Sequence, residues 1–447
     1  MKRKTFIRLG ATLAGSAALR PSLLWAQPTP LTNWAGNLTF GTSNVQYPKS
    51  VQEVQQIIKA HPKLKALGTR HCFNTIADSK DDLVSSRDLK KVITLNKEAK
   101  TLTVESGIRY GELAPYLQSH GFALHNLASL PHISVAGSVT TATHGSGIRN
   151  GNLATSVRGL EVVVADGSVV TFSKERDAQL LNAVVVGLGA IGFITKITLD
   201  LVPTFDVRQR VFLDMPLNQV KENFLKIVSA GYSVSLFTNW QDDHVSEVWI
   251  KSRTDEKDHA EPEFFGAKAA THNVHPVIAQ SPEKCTDQMG VPGVWYERLP
   301  HFKLGFTPST GKELQSEFFV PIGHAVEAIS AIARLGKQIS PHLFITEIRT
   351  IAEDELWMSP CYKQTSVTIH FTWKPETAAV MSLLPIIEKE LAPFNVKPHW
   401  GKLFTVAPKL LAERYEKMED FKKVVANYDP KGKFRNAFLN RNLYGII

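Results

Sequence analysis

An apolar strand over residues 64–67 runs straight into Gly68-Thr69-Arg70-His71-Cys72-Phe73-Asn74. Further along, Ser129-Leu-Pro-His-Ile-Ser-Val-Ala-Gly137 leads into Thr141-Ala-Thr-His144-Gly-Ser-Gly147. A glycine turn behind a strand lets backbone N–H groups approach a pyrophosphate closely, and a second Gly/Ser/Thr-rich segment supplies neutral donors to the same anion. No G-x-G-x-x-G opens a helix, so a Rossmann-type doubly wound sheet is not expected. The anion is instead expected on the loops of a different α+β unit.

With 447 residues and 43% hydrophobic composition, the chain can bury a large core in two or three domains. Five of its nine net positive charges come from Lys2, Arg3, Lys4, Arg8 and Arg20, in a head without acids; the remainder carries +4. So mild an excess, without a basic stripe interleaved with aromatics, marks a solvated surface, and no nucleic-acid partner is expected. The basic head, the apolar small-residue run at 9–19 and the Ala-Gln-Pro exit at Ala26 have the layout of a signal peptide over residues 1–26. Arg3-Lys4-Thr5-Phe6-Ile7-Arg8 is similar to a twin-arginine signal with Lys replacing the second Arg. An exported protein is expected, periplasmic or extracellular, monomeric and without a membrane span in its mature chain. Cys72, Cys285 and Cys361 form neither a close pair nor a metal-like spacing, so neither a disulfide framework nor a metal site is expected.

Ser50-Val-Gln-Glu53 reads as a capping box opening an amphipathic helix that Pro62 closes. Short strands at 92–95 and 101–105, a helix over 110–120, a hairpin over 160–172 turned by Asp166-Gly167, and a glycine-punctuated strand at 187–201 complete an α+β unit over 38–203. Beyond it come longer strands and two helices, near 218–230 and 322–335, which suggest a second α+β domain over 204–402. Residues 253–310, rich in Pro, His and charge, read as a long covering loop, and residues 403–447 form a C-terminal segment. In residues 364–373 the polar Ser366, Thr368, His370 and Thr372 alternate with Val367, Ile369, Phe371 and Trp373, which puts His370 and Thr372 on one face. The strand at 344–351 likewise shares Glu347 and Arg349 on one face, with Ile345 and Ile351 beside them arguing for burial.

Together with the glycine-turn motifs, Glu347-Ile-Arg349, His370-Phe-Thr372-Trp-Lys374 and Pro398-His-Trp-Gly-Lys402 make the chain, from about Asn33 onward, resemble the alditol oxidases of the vanillyl-alcohol oxidase flavoprotein superfamily. The flavin motifs are shared with sugar-lactone oxidases, whereas the last three groups point to a polyol. The resemblance implies a two-domain α+β fold: an FAD-binding domain, an antiparallel-sheet substrate domain and a tail returning to the first. It makes His71 the flavin-linked histidine and places Ala66, Leu67, Gly68, Thr69, Arg70, Cys72, Ser129, Ser134, Gly137, Thr141, Ala142, Thr143, His144, Ile194 and His399 along the FAD. It gives substrate contacts to Ser129, Glu347, Arg349, Thr372 and Lys402.

The implied reaction oxidises a terminal hydroxyl of xylitol, sorbitol or a similar alditol. Hydride goes to flavin N5, and oxygen takes the electrons, giving aldose and hydrogen peroxide. Lys402, Arg349 and His370 would be catalytic, with His370 or Lys402 taking the proton. A sugar lactone as substrate, with a quinone or cytochrome as acceptor, is the alternative.

Overall fold

Residues 30–305 and 312–446 are described by the structure, a computed structural model. The export signal expected over residues 1–26 lies outside them. The helix Val51–Ala60 starts as its capping residue dictates, with Ser50 Oγ accepting the Glu53 N–H; the Glu53 carboxylate takes the Lys49 N–H rather than that of Ser50. Its apolar stripe, Val54 and Ile58, packs with Leu64, Val84 and Phe193. The following strand, Leu64–Leu67, pairs in parallel with Asp82–Ser85, which pairs in parallel with Val45–Gln46. Among the described residues this three-stranded sheet is far from a doubly wound one, as the lack of a helix-opening glycine motif requires.

Beside it stands a five-stranded antiparallel sheet ordered Val92–Asn96, Thr101–Glu105, Phe193–Asp200, Val157–Val163, Val169–Ser173. The hairpin turns at Asp166-Gly167, where Gly167 has φ 84°. The strand expected from residue 187 begins only at Phe193, because Leu188, Gly189 and Gly192 adopt positive φ and fold residues 187–192 into a turn. Gly187-Leu-Gly-Ala-Ile-Gly192 thus carries the dinucleotide glycine spacing but feeds a strand, not a helix.

The larger sheet has ten strands. Its central order is Asp206–Pro216, His244–Arg253, Ser233–Thr238, Leu343–Ile351, Ser366–Trp373, Leu314–Pro321 and Lys397–Pro398, all neighbours antiparallel. One face is sealed by the helices Leu217–Val228, Ala325–Arg334 and Thr377–Leu391. Their Val220, Ile329 and Leu384 share a core with Val367, Ile369, Phe371 and Trp373. Residues 322–324, expected as the first turn of the second of these helices, are 3-10. Phe371 stacks on Trp373 at 4.9 Å, so truncating either ring would cost about 3–5 kcal/mol.

The opposite face carries the polar residues, and residues 253–305 cover its far end with only short strand pairs. Leu411, Phe421 and Leu439 of the last three helices bury themselves in the same core as Leu102, Leu160 and Ile197 of the five-stranded sheet. No helix among the described residues is long and apolar enough to cross a membrane.

Candidate active site

A cavity of about 670 Å³ runs from the glycine turns to the polar face of the large sheet. At one end, residues 68–73 lie opposite residues 137–144. A Cβ built on Gly68 or on Gly137 would stand 3.0 Å from Ser134 Oγ, so a side chain at either would crowd that hydroxyl. Arg70 and Ala142 take left-handed φ of 63° and 53°, a strain of order 1 kcal/mol each for residues other than glycine. The Leu188–Ile194 stretch closes this end with backbone and apolar groups.

All but two of the positions expected along the cofactor line this cavity. Ala142 is buried in the core, and its left-handed φ shapes the turn instead. Ser134 stands behind the two glycines, its N–H donating to Thr69 Oγ1 at 3.3 Å. Buried Ser134 Oγ and His71 Nδ1 have no hydrogen-bond partner within the protein. A glycine-walled cradle of neutral donors, with two polar atoms left unmatched, fits the pyrophosphate and ring system of FAD. Cys72 lines the cavity as a free thiol, and burial pushes its pKa up to about 12, which makes it a space-filling group rather than a nucleophile.

The other end is built on one rung of the sheet. Phe237, Glu347, His370 and Glu317 are direct register partners on four successive strands, and the His399 N–H donates to the Glu317 carbonyl from the chain's return at 2.9 Å. Period-2 geometry repeats the pattern at the next rung, where Ile345, Thr372 and Gln315 align. Lys402 enters from the 399–402 turn, which is stitched to the His71 loop by Phe73 N–H to Gly401 O at 2.8 Å and by Asn74 Nδ2 to the Trp400 and Lys402 carbonyls.

Glu317, with a fully buried side chain, is the hub. Its carboxylate lies 2.5 Å from Lys402 Nζ, 2.6 Å from the Arg349 guanidinium, 3.2 Å from His144 Nε2 and 3.4 Å from His370 Nδ1. Burial alone would raise its pKa, but Lys402 and Arg349 hold it well below the ordinary carboxylate range. Glu347 is buried too. His301 Nε2 donates to it at 2.7 Å and Arg349 Nε stands 3.6 Å away, and together they keep its pKa low.

Lys251 Nζ locks His301 in turn, donating to the Leu299 and Pro300 carbonyls and to His301 Nδ1. Burial pushes the pKa of His370 down to about 4 and lowers those of His144, His301 and His399, so these rings are neutral at pH 7. On this face two anions, Glu317 and Glu347, meet two cations, Arg349 and Lys402, while Lys251 stands behind His301 outside the cavity lining, its pKa lowered by burial to about 7. His144, Glu317 and His399 bring potential metal-ligand atoms within 4.8 Å of one another, but a metal ion there would meet Lys402 and Arg349 on the same carboxylate.

Ser129, Glu347, Arg349, His370, Thr372 and Lys402 all line the cavity, so the structure brings together the residues expected to act on substrate. Sequence reasoning missed Glu317, Gln315 and His301, and also Trp34, which stacks on His71. For Glu317 and Gln315 a signal exists: in Leu314–Pro321 they alternate with buried Leu314, Phe318 and Val320, the same period-2 signature as residues 366–373. His301 has none, since it sits in an aperiodic segment.

A glycine-walled cradle on a mixed α+β domain, facing the polar side of an antiparallel sheet, defines an FAD-dependent oxidoreductase. The profile of the FAD-binding domain family matches residues 42–173, and that of D-arabinono-1,4-lactone oxidase matches residues 307–442. An alditol oxidase from Streptomyces is 44% identical over 93% of this chain and 100% of its own length. L-gulonolactone oxidase from Mus musculus is 25% identical over 92% of this chain and 98% of its own. Cholesterol oxidase from B. sterolicum superposes with a TM-score of 0.74 at 13% identity, covering 93% of this chain and 96% of that one, a likeness of fold. The chain belongs to the alditol oxidase family of vanillyl-alcohol oxidase-type FAD flavoproteins.

Proposed function

We propose that this protein oxidises a terminal hydroxyl of a neutral polyol, such as xylitol or sorbitol, with FAD attached through His71. Oxygen accepts the electrons, yielding aldose and hydrogen peroxide. The observation that carries the reading is the charge-balanced cluster beside the cradle, where Glu347 and Glu317 of one rung meet Arg349 of another and Lys402 of the 399–402 turn. A polyol brings many hydroxyls and no charge, and a buried site of two anions and two cations offers donors and acceptors without demanding a counter-ion. FAD, when bound, supplies the hydride acceptor.

The chain's own residues bind, orient and move the proton. Lys402 Nζ spends one hydrogen on Glu317 and one on His370 Nδ1, leaving a third for the substrate oxygen. His370 accepts at Nδ1, so its Nε2 carries the hydrogen and donates to Thr372 Oγ1 at 3.1 Å. Neither group is a free base alone, but the pair takes up one proton as a unit. Lys402 Nζ first passes the shared hydrogen to His370 Nδ1, and the resulting amine, turned about its Cε–Nζ bond, then accepts the hydroxyl proton, with Glu317 beside both to stabilise the added charge. Glu347, anchored through Oε1 by His301, directs its other oxygen to substrate hydroxyls. Export through the residue 1–26 signal would deliver peroxide outside the cytoplasm.

Anaerobic mixing with xylitol or sorbitol should bleach the flavin absorbance, and air should restore it with stoichiometric peroxide. Bleaching by gulono- or galactono-lactone but by no polyol would overturn this reading in favour of a lactone substrate.

A further inference from the structure

Residues 32–38 form a strap across the back of the loop that carries His71. The Trp34 N–H donates to the Arg70 carbonyl at 2.8 Å, Asn33 Nδ2 to the Cys72 carbonyl at 2.9 Å and Asn37 Nδ2 to the Phe73 carbonyl at 3.0 Å. Arg70 returns a bond from its guanidinium to the Thr32 carbonyl at 2.8 Å. Every residue from 70 to 73 except His71 is therefore tied to the strap through its backbone. His71 is held through its ring instead, by Trp34 stacked at 5.2 Å between centroids and 21° between planes. The Trp34 side chain itself lines the cavity.

A ring nitrogen that is to form a bond must be neutral, must have its lone pair free and must point in a fixed direction. Burial lowers the pKa of His71 to about 4, which meets the first condition. The partnerless Nδ1 meets the second. With Nδ1 unpartnered, the Thr69 backbone is, among the described residues, the one polar group against the ring, and a single such contact leaves an imidazole able to swing about its side-chain torsions unless something packs on its face. Trp34 is the aromatic ring that stacks on it.

We propose that Trp34 is the positioning residue for cofactor attachment, and that the 32–38 strap is a working part of the attachment site. The inference rests on the reading of His71 as the anchor. In the attachment, a C–N bond from His71 Nδ1 to the flavin 8-methyl carbon replaces one methyl C–H and the ring N–H. The two electrons and two protons so released leave through the flavin to dioxygen, giving hydrogen peroxide.

The test compares the full-length wild type with Trp34→Ala, Trp34→Phe and His71→Ala. Total FAD is read from visible absorbance, and the attached fraction from flavin that stays with acid-precipitated protein and fluoresces on a denaturing gel. Trp34→Ala should bind FAD yet lose at least ten-fold in attached fraction, while Trp34→Phe, which keeps an aromatic face, stays within two-fold of wild type. A purely structural strap would lower total FAD and leave the attached fraction of what binds unchanged. That result, or wild-type attachment in Trp34→Ala, overturns the proposal. Should Trp34→Ala not fold, Trp34→Leu replaces it, and Trp34→Leu matching Trp34→Phe overturns it equally. Attached flavin persisting in His71→Ala would instead overturn the anchor itself.

Discussion

Replacing Glu317 by Gln removes one charge from the most crowded point of the site and changes almost nothing in shape. Its carboxylate meets Lys402 at 2.5 Å and Arg349 at 2.6 Å with no exposed side-chain surface, so the variant buries two cations against the single anion Glu347. Breaking a buried ion pair on one side costs about 3–5 kcal/mol. At ~2.1 cal/mol/K per residue, unfolding a chain of this length has an entropy near 0.9 kcal/mol/K, so the melting temperature should fall by roughly 3–6 °C.

The pH dependence has a definite sign. Burial already lowers the Lys402 pKa from 10.5, with Glu317 opposing that shift; without Glu317 it drops further. A lysine whose folded pKa lies below its unfolded one destabilises the protein while both states are protonated and ceases to do so as pH rises past the unfolded value. The gap between wild type and variant should therefore narrow from pH 7 to pH 10. A second check is the Glu317→Gln/Lys402→Met double variant, which restores neutrality and should recover most of the stability while remaining inactive. Thermal unfolding followed by tryptophan fluorescence across that range measures both. A deficit below 1 °C at pH 7, or one that does not narrow as the pH is raised, would refute the hub reasoning.

Lys402→Met should retain FAD but slow anaerobic flavin reduction by at least ~100-fold, measured by stopped flow; an unchanged rate would remove Lys402 from the proton step. His301→Leu, which removes the donor, should raise KM for polyol roughly 10–100-fold at unchanged FAD content, since a hydrogen bond to a charged group contributes about 1.5–3 kcal/mol. An unaltered KM would mean that Glu347 needs no help from the covering segment. An aldonate should show kcat/KM at least ~100-fold below the matching alditol, because its carboxylate adds an unbalanced charge; equal rates would contradict the charge inventory.

The polar face of residues 366–373 is legible in the sequence because a strand exposes alternate residues to opposite sides, and Val367 to Trp373 could only be its core side. The glycine turns are legible because a residue without Cβ avoids the crowding against Ser134 that a side chain would meet at Gly68 and Gly137. Glu317 is harder to see. Its strand's period-2 pattern assigns Glu317 to a face, but its pairing with His370 follows only from register, which is a property of two strands, not one. His301 and Trp34 act through contacts with Glu347 and with His71 that no local periodicity encodes. The shortened strand at 193 reflects backbone φ at 188–192, where the glycines permit a turn as readily as a strand.

The stitching of residues 399–402 to residues 73 and 74 carries a consequence for biosynthesis. The loop bearing His71 emerges early from the ribosome, whereas Lys402 and His399 follow more than three hundred residues later. A partly made chain has the loop but lacks the turn that closes over it, so the proton-handling cluster cannot form until almost the whole protein exists. A chain released before residue 399 should for that reason leave bound flavin unreduced by substrate.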